Sequence, residues 1–216
     1  MRIKEAQIAA ALACTALLAA LFIPPSTAQD AQPATISLGP GSALWLEGKS
    51  NLHDFESRTT KISVKFTADP NTSVPSTLEG LAGFLLGVRS LDVEVPVTAL
   101  RSSKAALDKN LWQDLRADKH PTVTFHLTAN TVTPVQPGGD TLVIKADGVL
   151  TVAGRERPVA LTARAYGADQ GIWLEGRETL RMTDFGIKPR TMMLGTLRVK
   201  DQIVVRYRLL IVPGKS

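Results

Sequence analysis

Beyond residue 42 the chain alternates apolar and polar side chains with a period of two along most of its length. Ile62, Val64 and Phe66 are separated by Ser63 and Lys65; Leu91, Val93, Val95 and Val97 by Asp92, Glu94 and Pro96; Val123, Phe125 and Leu127 by Thr124 and His126. Successive side chains of a strand point to opposite faces, so each run predicts a strand with one face toward a core. The pattern recurs at Leu142 and Ile144, Leu150 and Val152, Val159 and Leu161, Ile172 and Leu174, and Ile203 to Leu209. Seven to nine strands are expected. Asp69-Pro70-Asn71, Pro134 to Asp140, Ala153-Gly154, Gly167 to Gly171 and Lys200-Asp201 carry turn chemistry between them. Connections this short favour antiparallel neighbours, because parallel pairs need crossovers of a dozen or more residues.

Ser103 to Lys119 breaks the rhythm. Leu107, Leu111, Trp112 and Leu115 recur at helical spacing, Ser103 is a candidate N-cap, and Pro121 closes the far end. One short amphipathic helix is predicted over residues 103–117, flanking or plugging one opening. The apolar, glycine-rich stretch Leu81 to Val88 is read as a buried loop or bent strand rather than a lid. A single helix cannot cover both faces of an open sheet, so the strands are expected to close into a barrel. The fold class is all-β, an antiparallel barrel with one short helix. The period-two rule turns Ile62, Val64, Phe66, Val93, Val95, Val123, Phe125, Ile144, Leu161, Leu174, Val205 and Tyr207 inward. Aromatic residues are only 5% of the chain, which is compatible with an unfilled apolar bore.

The N-terminus reads differently. Arg2 and Lys4 precede an uncharged stretch from Ala6 to Ile23, and Ser26-Thr27-Ala28 offers small residues for cleavage, the layout of a secretory signal. The run is interrupted by Gln7 and ended by Pro24-Pro25, short of the about 20 apolar residues a membrane span needs. We therefore expect a signal peptide over 1–28, a flexible mature N-terminus over 29–41 and one barrel domain over 42–212. The single cysteine, Cys14, lies in the segment to be removed, which excludes disulfides and thiol chemistry from the mature chain. Taking Arg2, Lys4 and Glu5 from the 25 basic and 20 acidic residues leaves 23 and 19. The basic residues alternate with apolar ones along strands, which argues for a solvated face and against a nucleic-acid partner.

Catalytic signatures are lacking. His53, His120 and His126 have no metal-ligand spacing, no Gly-x-Ser-x-Gly elbow occurs, and Gly148, Gly154 and Gly186 do not open a helix. His53 and Asp54 are expected in a turn, His120 in a loop, and His126 facing outward. No metal, cofactor or catalytic residue is assigned. Arg181 to Lys188, RMTDFGIK, reads as a structural turn in which Asp184 caps backbone amides and Arg181 lies outside.

Four stretches carry a resemblance: LWLEGKSNLHDFE (44–56), KHPTVTFHL (119–127), ADGVLTVAGRERPVAL (146–161) and LRMTDFGIKP (180–189). In this order they resemble the YceI-like family of periplasmic, lipocalin-like, polyisoprenoid-binding proteins. The resemblance implies an eight-stranded antiparallel barrel, a long apolar tunnel with a polyisoprenoid or other long-chain lipid along it, and a periplasmic location. The twelve inward residues are then the expected tunnel lining, and no enzymatic activity is expected. A monomer or homodimer with transient membrane contact is anticipated. The alternative is a ligand-free barrel serving envelope interactions or stress protection through Leu81 to Val88.

Overall fold

The computed structural model describes residues 34–213, apart from residues 71, 137 and 193–195. The expected signal peptide, Cys14 and the cleavage site lie outside the described residues.

The alternation becomes one closed antiparallel sheet. Strands β1 (Ala34–Leu38) and β2 (Ala43–Ser50) are two arms of one bent strand, as are β3 (Asp54–Thr59) and β4 (Ser63–Ala68). Then come β5 (Val88–Pro96), β6 (Thr122–Pro134), β7 (Thr141–Val152), β8 (Arg155–Ala168), β9 (Gly171–Arg181), the short β10 (Thr191–Met192) and β11 (Leu197–Val212). β4 through β9 pair in chain order, β9 pairs with β11, and β11 pairs with both β1 and β2. Because β1 also pairs with β4, the circuit closes on eight strands when each bent pair counts once.

The bend between β1 and β2 is held by local chemistry. The Ser42 hydroxyl donates to the Gly39 carbonyl at 2.7 Å and accepts from the Leu210 amide at 2.9 Å, tying the corner to β11. The β7–β8 hairpin turns on Ala153 and Gly154, both left-handed at φ +51° and +77°. That is the geometry favoured for two-residue hairpins.

Three turn and helix expectations are corrected. Lys200-Asp201 is no turn: it lies within β11, where four steps from Val199 to Ile203 face two from Ser50 to Gly48. This bulge adds an even number of residues, so Val199 and Ile203 keep the same face. The β8–β9 turn is narrower than Gly167 to Gly171, since β8 runs on to Ala168. The stretch Leu81 to Gly87 is helical and Val88 opens β5, so the described residues contain two α-helices, α1 (Leu78–Gly87) and α2 (Ala105–Asp114).

Glycine disfavours a helix interior, so α1 depends on burial rather than propensity. Leu81, Phe84 and Leu85, at helical spacing, are buried, and Phe84 meets Phe66 edge-on with ring centroids 5.1 Å apart. Thr77 caps it by accepting from the Gly80 amide at 3.2 Å. At α2 the expected cap Ser103 is replaced by Lys104, which makes no side-chain cap bond. Asp108 instead accepts from the Ser102 amide at 2.6 Å and hydroxyl at 2.7 Å. Each helix serves one apolar cluster: α1 with Val64, Phe66, Ile144 and Ile172, and α2 with Val97, Leu100, Leu115, Phe185 and Ile187.

Candidate functional site: an apolar bore

Between the two clusters lies a cavity of about 490 Å³. Ladder register explains its walls. Leu44 and Leu46 on β2, Val93 and Val95 on β5, Ile144 and Leu150 on β7, and Ile203, Val205 and Tyr207 on β11 share one parity per strand and all reach it. Of the twelve residues assigned inward, eleven line the cavity. The exception is Phe66, which is corrected: it is buried behind Phe84 of α1 and does not reach the open space. The unanticipated helix covers it. Leu107 and Leu111 of α2 and its C-cap residue Leu115 also border the cavity.

Three of the aromatic rings that line the bore pack on glycines. A Cβ on Gly48 would collide with the Phe55 ring, one on Gly148 with Phe125, and one on Gly176 with Tyr207. Gly48 and Gly176 stand directly opposite their aromatic partners in the ladder. Each ring occupies the space a side chain would take at the glycine, so it sits close against the wall. Low aromatic content alone did not reveal this device; glycine opposite an aromatic on facing strands is its sequence signal.

Polar groups gather at the α2 end. His53, Ser102, Asn110, Asp114, Arg181 and Arg190 border the cavity there. Arg190 Nε donates to Asp114 Oδ2 at 2.6 Å, and its other nitrogens donate to the Asn110 side chain and carbonyl. A cation at the last turn of α2 also complements the helix dipole. The RMTDFGIK turn is built differently from expectation. Asp201, not Asp184, receives the Thr183 amide at 2.9 Å and hydroxyl at 2.7 Å. Those bonds from Thr183 hold the Asp201 carboxyl below its ordinary value. Arg181 is exposed yet contributes to the rim of the cavity.

The histidines are separate. His53 sits exposed at the rim, His120 packs by Gly154, and His126 faces outward with Nδ1 2.8 Å from Asp92. No group of three potential metal ligands occurs among the described residues. The outer wall carries charge instead: Glu47 accepts from Arg206 at 2.8 Å and Arg177 at 3.2 Å, and Arg206 stacks on Trp45 at 4.2 Å.

Of the polar residues that line the bore, Tyr207 belongs to the twelve assigned inward, whereas Glu178 escaped the sequence reading. Glu178 and Tyr207 both line it, on the neighbouring strands β9 and β11. Burial, with the Glu178 carboxylate nearby, pushes the Tyr207 hydroxyl up to about 12. Extending the alternation from Ile172 and Leu174 through Gly176 would have placed Glu178 inward.

The family model of the YceI-like domain matches residues 42–210. The chain belongs to the YceI-like family. No match to a curated protein is found. Among solved structures, Burkholderia cenocepacia BcnA is similar at TM-score 0.58 and 17% identity, over 79% of this chain and 96% of that one. A polyisoprenoid binding domain from Saccharophagus degradans, implicated in plant cell wall breakdown, is similar at TM-score 0.59 and 8% identity, covering 83% and 98%. The Campylobacter jejuni YCEI protein is similar at TM-score 0.50 and 20% identity, covering 78% and 85%. At such identities these likenesses establish the barrel fold for this YceI-like chain.

Proposed function

We propose that this YceI-like chain binds one long apolar lipid of the polyisoprenoid type inside its barrel, performs no catalysis, and works in the periplasm after losing residues 1–28. The observation that carries this reading is the open bore, about 490 Å³, lined mostly by aliphatic side chains with three of its aromatic rings packed on glycines. A volume of that size falls within the range of small-molecule sites, and a dry apolar lining selects by length and width. Each buried methylene contributes about 0.8 kcal/mol, partly offset by ordering of the chain. The polyisoprenoid named for the Saccharophagus degradans domain fits such a site.

The ligand-free interaction module gains less support. It needs Leu81 to Val88 as a contact surface, but Leu81, Phe84 and Leu85 are directed into the barrel. Extraction of protein purified from the cell envelope, followed by mass spectrometry, tests the reading. A stoichiometric long-chain lipid is expected. Protein that carries no lipid and takes none up when offered would refute it.

A further inference from the structure

The barrel wall is not continuous. β8 and β9 pair from Ala168 and Gly171 only as far as Ala163 and Gly176. Beyond that point β8 remains paired with β7 down to Arg155, and β9 remains paired with β11 up to Arg181. The two strands therefore part, each held by its other neighbour, and leave facing unpaired edges along 157–161 and 177–181, while at the start of the slit the Thr162 carbonyl accepts from the Tyr207 hydroxyl at 3.4 Å. Pro158 sits on this free stretch of β8, as expected of a residue that a fully paired strand excludes. The 3-10 turn Met182–Phe185 lies against both strands and bounds the slit at its far end, where Gly186 packs on Arg155.

A comparable parting of β5 and β6 beyond Asp92 and His126 is served by α1, whose Leu85 carbonyl accepts from Asn130. Among the described residues the β8–β9 slit has no such α-helix. Glu178 lies on its β9 edge with its side chain turned to the bore, opposite Val205 and two residues from Gly176 and Tyr207's footing. No hydrogen bond or ion pair holds Glu178 among the described residues, although Arg177 beside it is engaged outside by Glu47. A carboxylate facing an apolar cavity is tolerable only where water or a donor reaches it, and the slit is the nearest break in the wall.

We propose that the β8–β9 slit receives the polar end of the ligand. There Glu178 selects an amphiphile whose head group donates hydrogen bonds or carries positive charge, a long-chain alcohol or amine. A carboxylate head is rejected by like charge. This rests on the bore being a lipid site, and deepens that reading by naming the head-group class and where it lies.

The test offers hexadecylamine, hexadecanol and palmitate to the full delipidated chain by displacement of a fluorescent long-chain probe, in wild type and Glu178→Gln. A charge-assisted hydrogen bond predicts that wild type binds the amine about tenfold to a hundredfold more tightly than palmitate, with the alcohol between. Glu178→Gln is expected to abolish the gap between amine and palmitate while the alcohol changes less than about threefold. Equal wild-type affinities overturn the head-group assignment and leave the bore reading intact, and this comparison needs no variant to fold. A preference that survives Glu178→Gln overturns the role of Glu178. Folded protein that binds none of the three overturns the lipid reading itself, and this inference with it.

Discussion

Replacing Val205 with Trp tests the bore from its middle. Val205 is half-buried against the cavity, flanked in the ladder by Leu46 and Glu178. Its neighbour Val204 points to the opposite face, flanked by Glu47 and Thr179, so Val204→Trp is the matched control. The indole at 205 displaces about three or four methylene-sized groups of ligand, each about 0.8 kcal/mol, for a loss of about 3 kcal/mol. That corresponds to an affinity about a hundredfold weaker. Because the ring enters open space, the cost to folding should fall at or below the low end of the about 1–3 kcal/mol usual for overpacking. Displacement of a fluorescent long-chain probe reads the first quantity and thermal unfolding the second. Equal affinity in the two folded variants would refute the assignment of the bore.

Gly148→Ala would drive its Cβ into the His126 carbonyl oxygen of the facing strand as well as the Phe125 ring, so it should part the β6–β7 ladder there, destabilising the barrel by about 1–3 kcal/mol and weakening ligand uptake. Gly83→Ala on α1, with nothing within 4 Å, should instead stabilise by about 0.5–1 kcal/mol in thermal unfolding. Asp108 is buried, which pushes its carboxyl up, but the Ser102 hydrogen bonds and the Arg101 guanidinium outweigh this and hold it below the ordinary 3.8. Its contribution is therefore complete above that value and lost as pH falls through the lowered one. Asp108→Asn should flatten the acid limb of the stability profile measured by chemical denaturation at stepped pH.

Most of the wall was legible because a strand's period is two and cannot drift without a bulge. At Lys200-Asp201 the sequence looked like a turn, yet the bulge there adds an even number of residues and preserves the inward set. Between Leu127 and Ala129 an irregularity moves the inward parity from Leu127 to Asn130, which local alternation could not foresee. Helix α1 was hidden by its glycines, since the burial that holds it belongs to the assembled barrel, and Phe66 was misplaced for the same reason. Glu178 was overlooked because a charged residue is ordinarily assigned outward, although its spacing from Leu174 put it in. The parting of β8 and β9 depends on which neighbour each strand keeps, a long-range property with only Pro158 as its local sign.

The central claim, that the bore is a site for a long apolar chain, is tested most directly by calorimetric titration of the delipidated protein with alcohols of increasing length at several temperatures. One ligand per barrel is predicted, with a negative heat-capacity change from buried apolar surface. Affinity should strengthen by up to about 0.8 kcal/mol per methylene until the bore is full, then level off. Binding that is absent, or that is indifferent to chain length, would contradict the account.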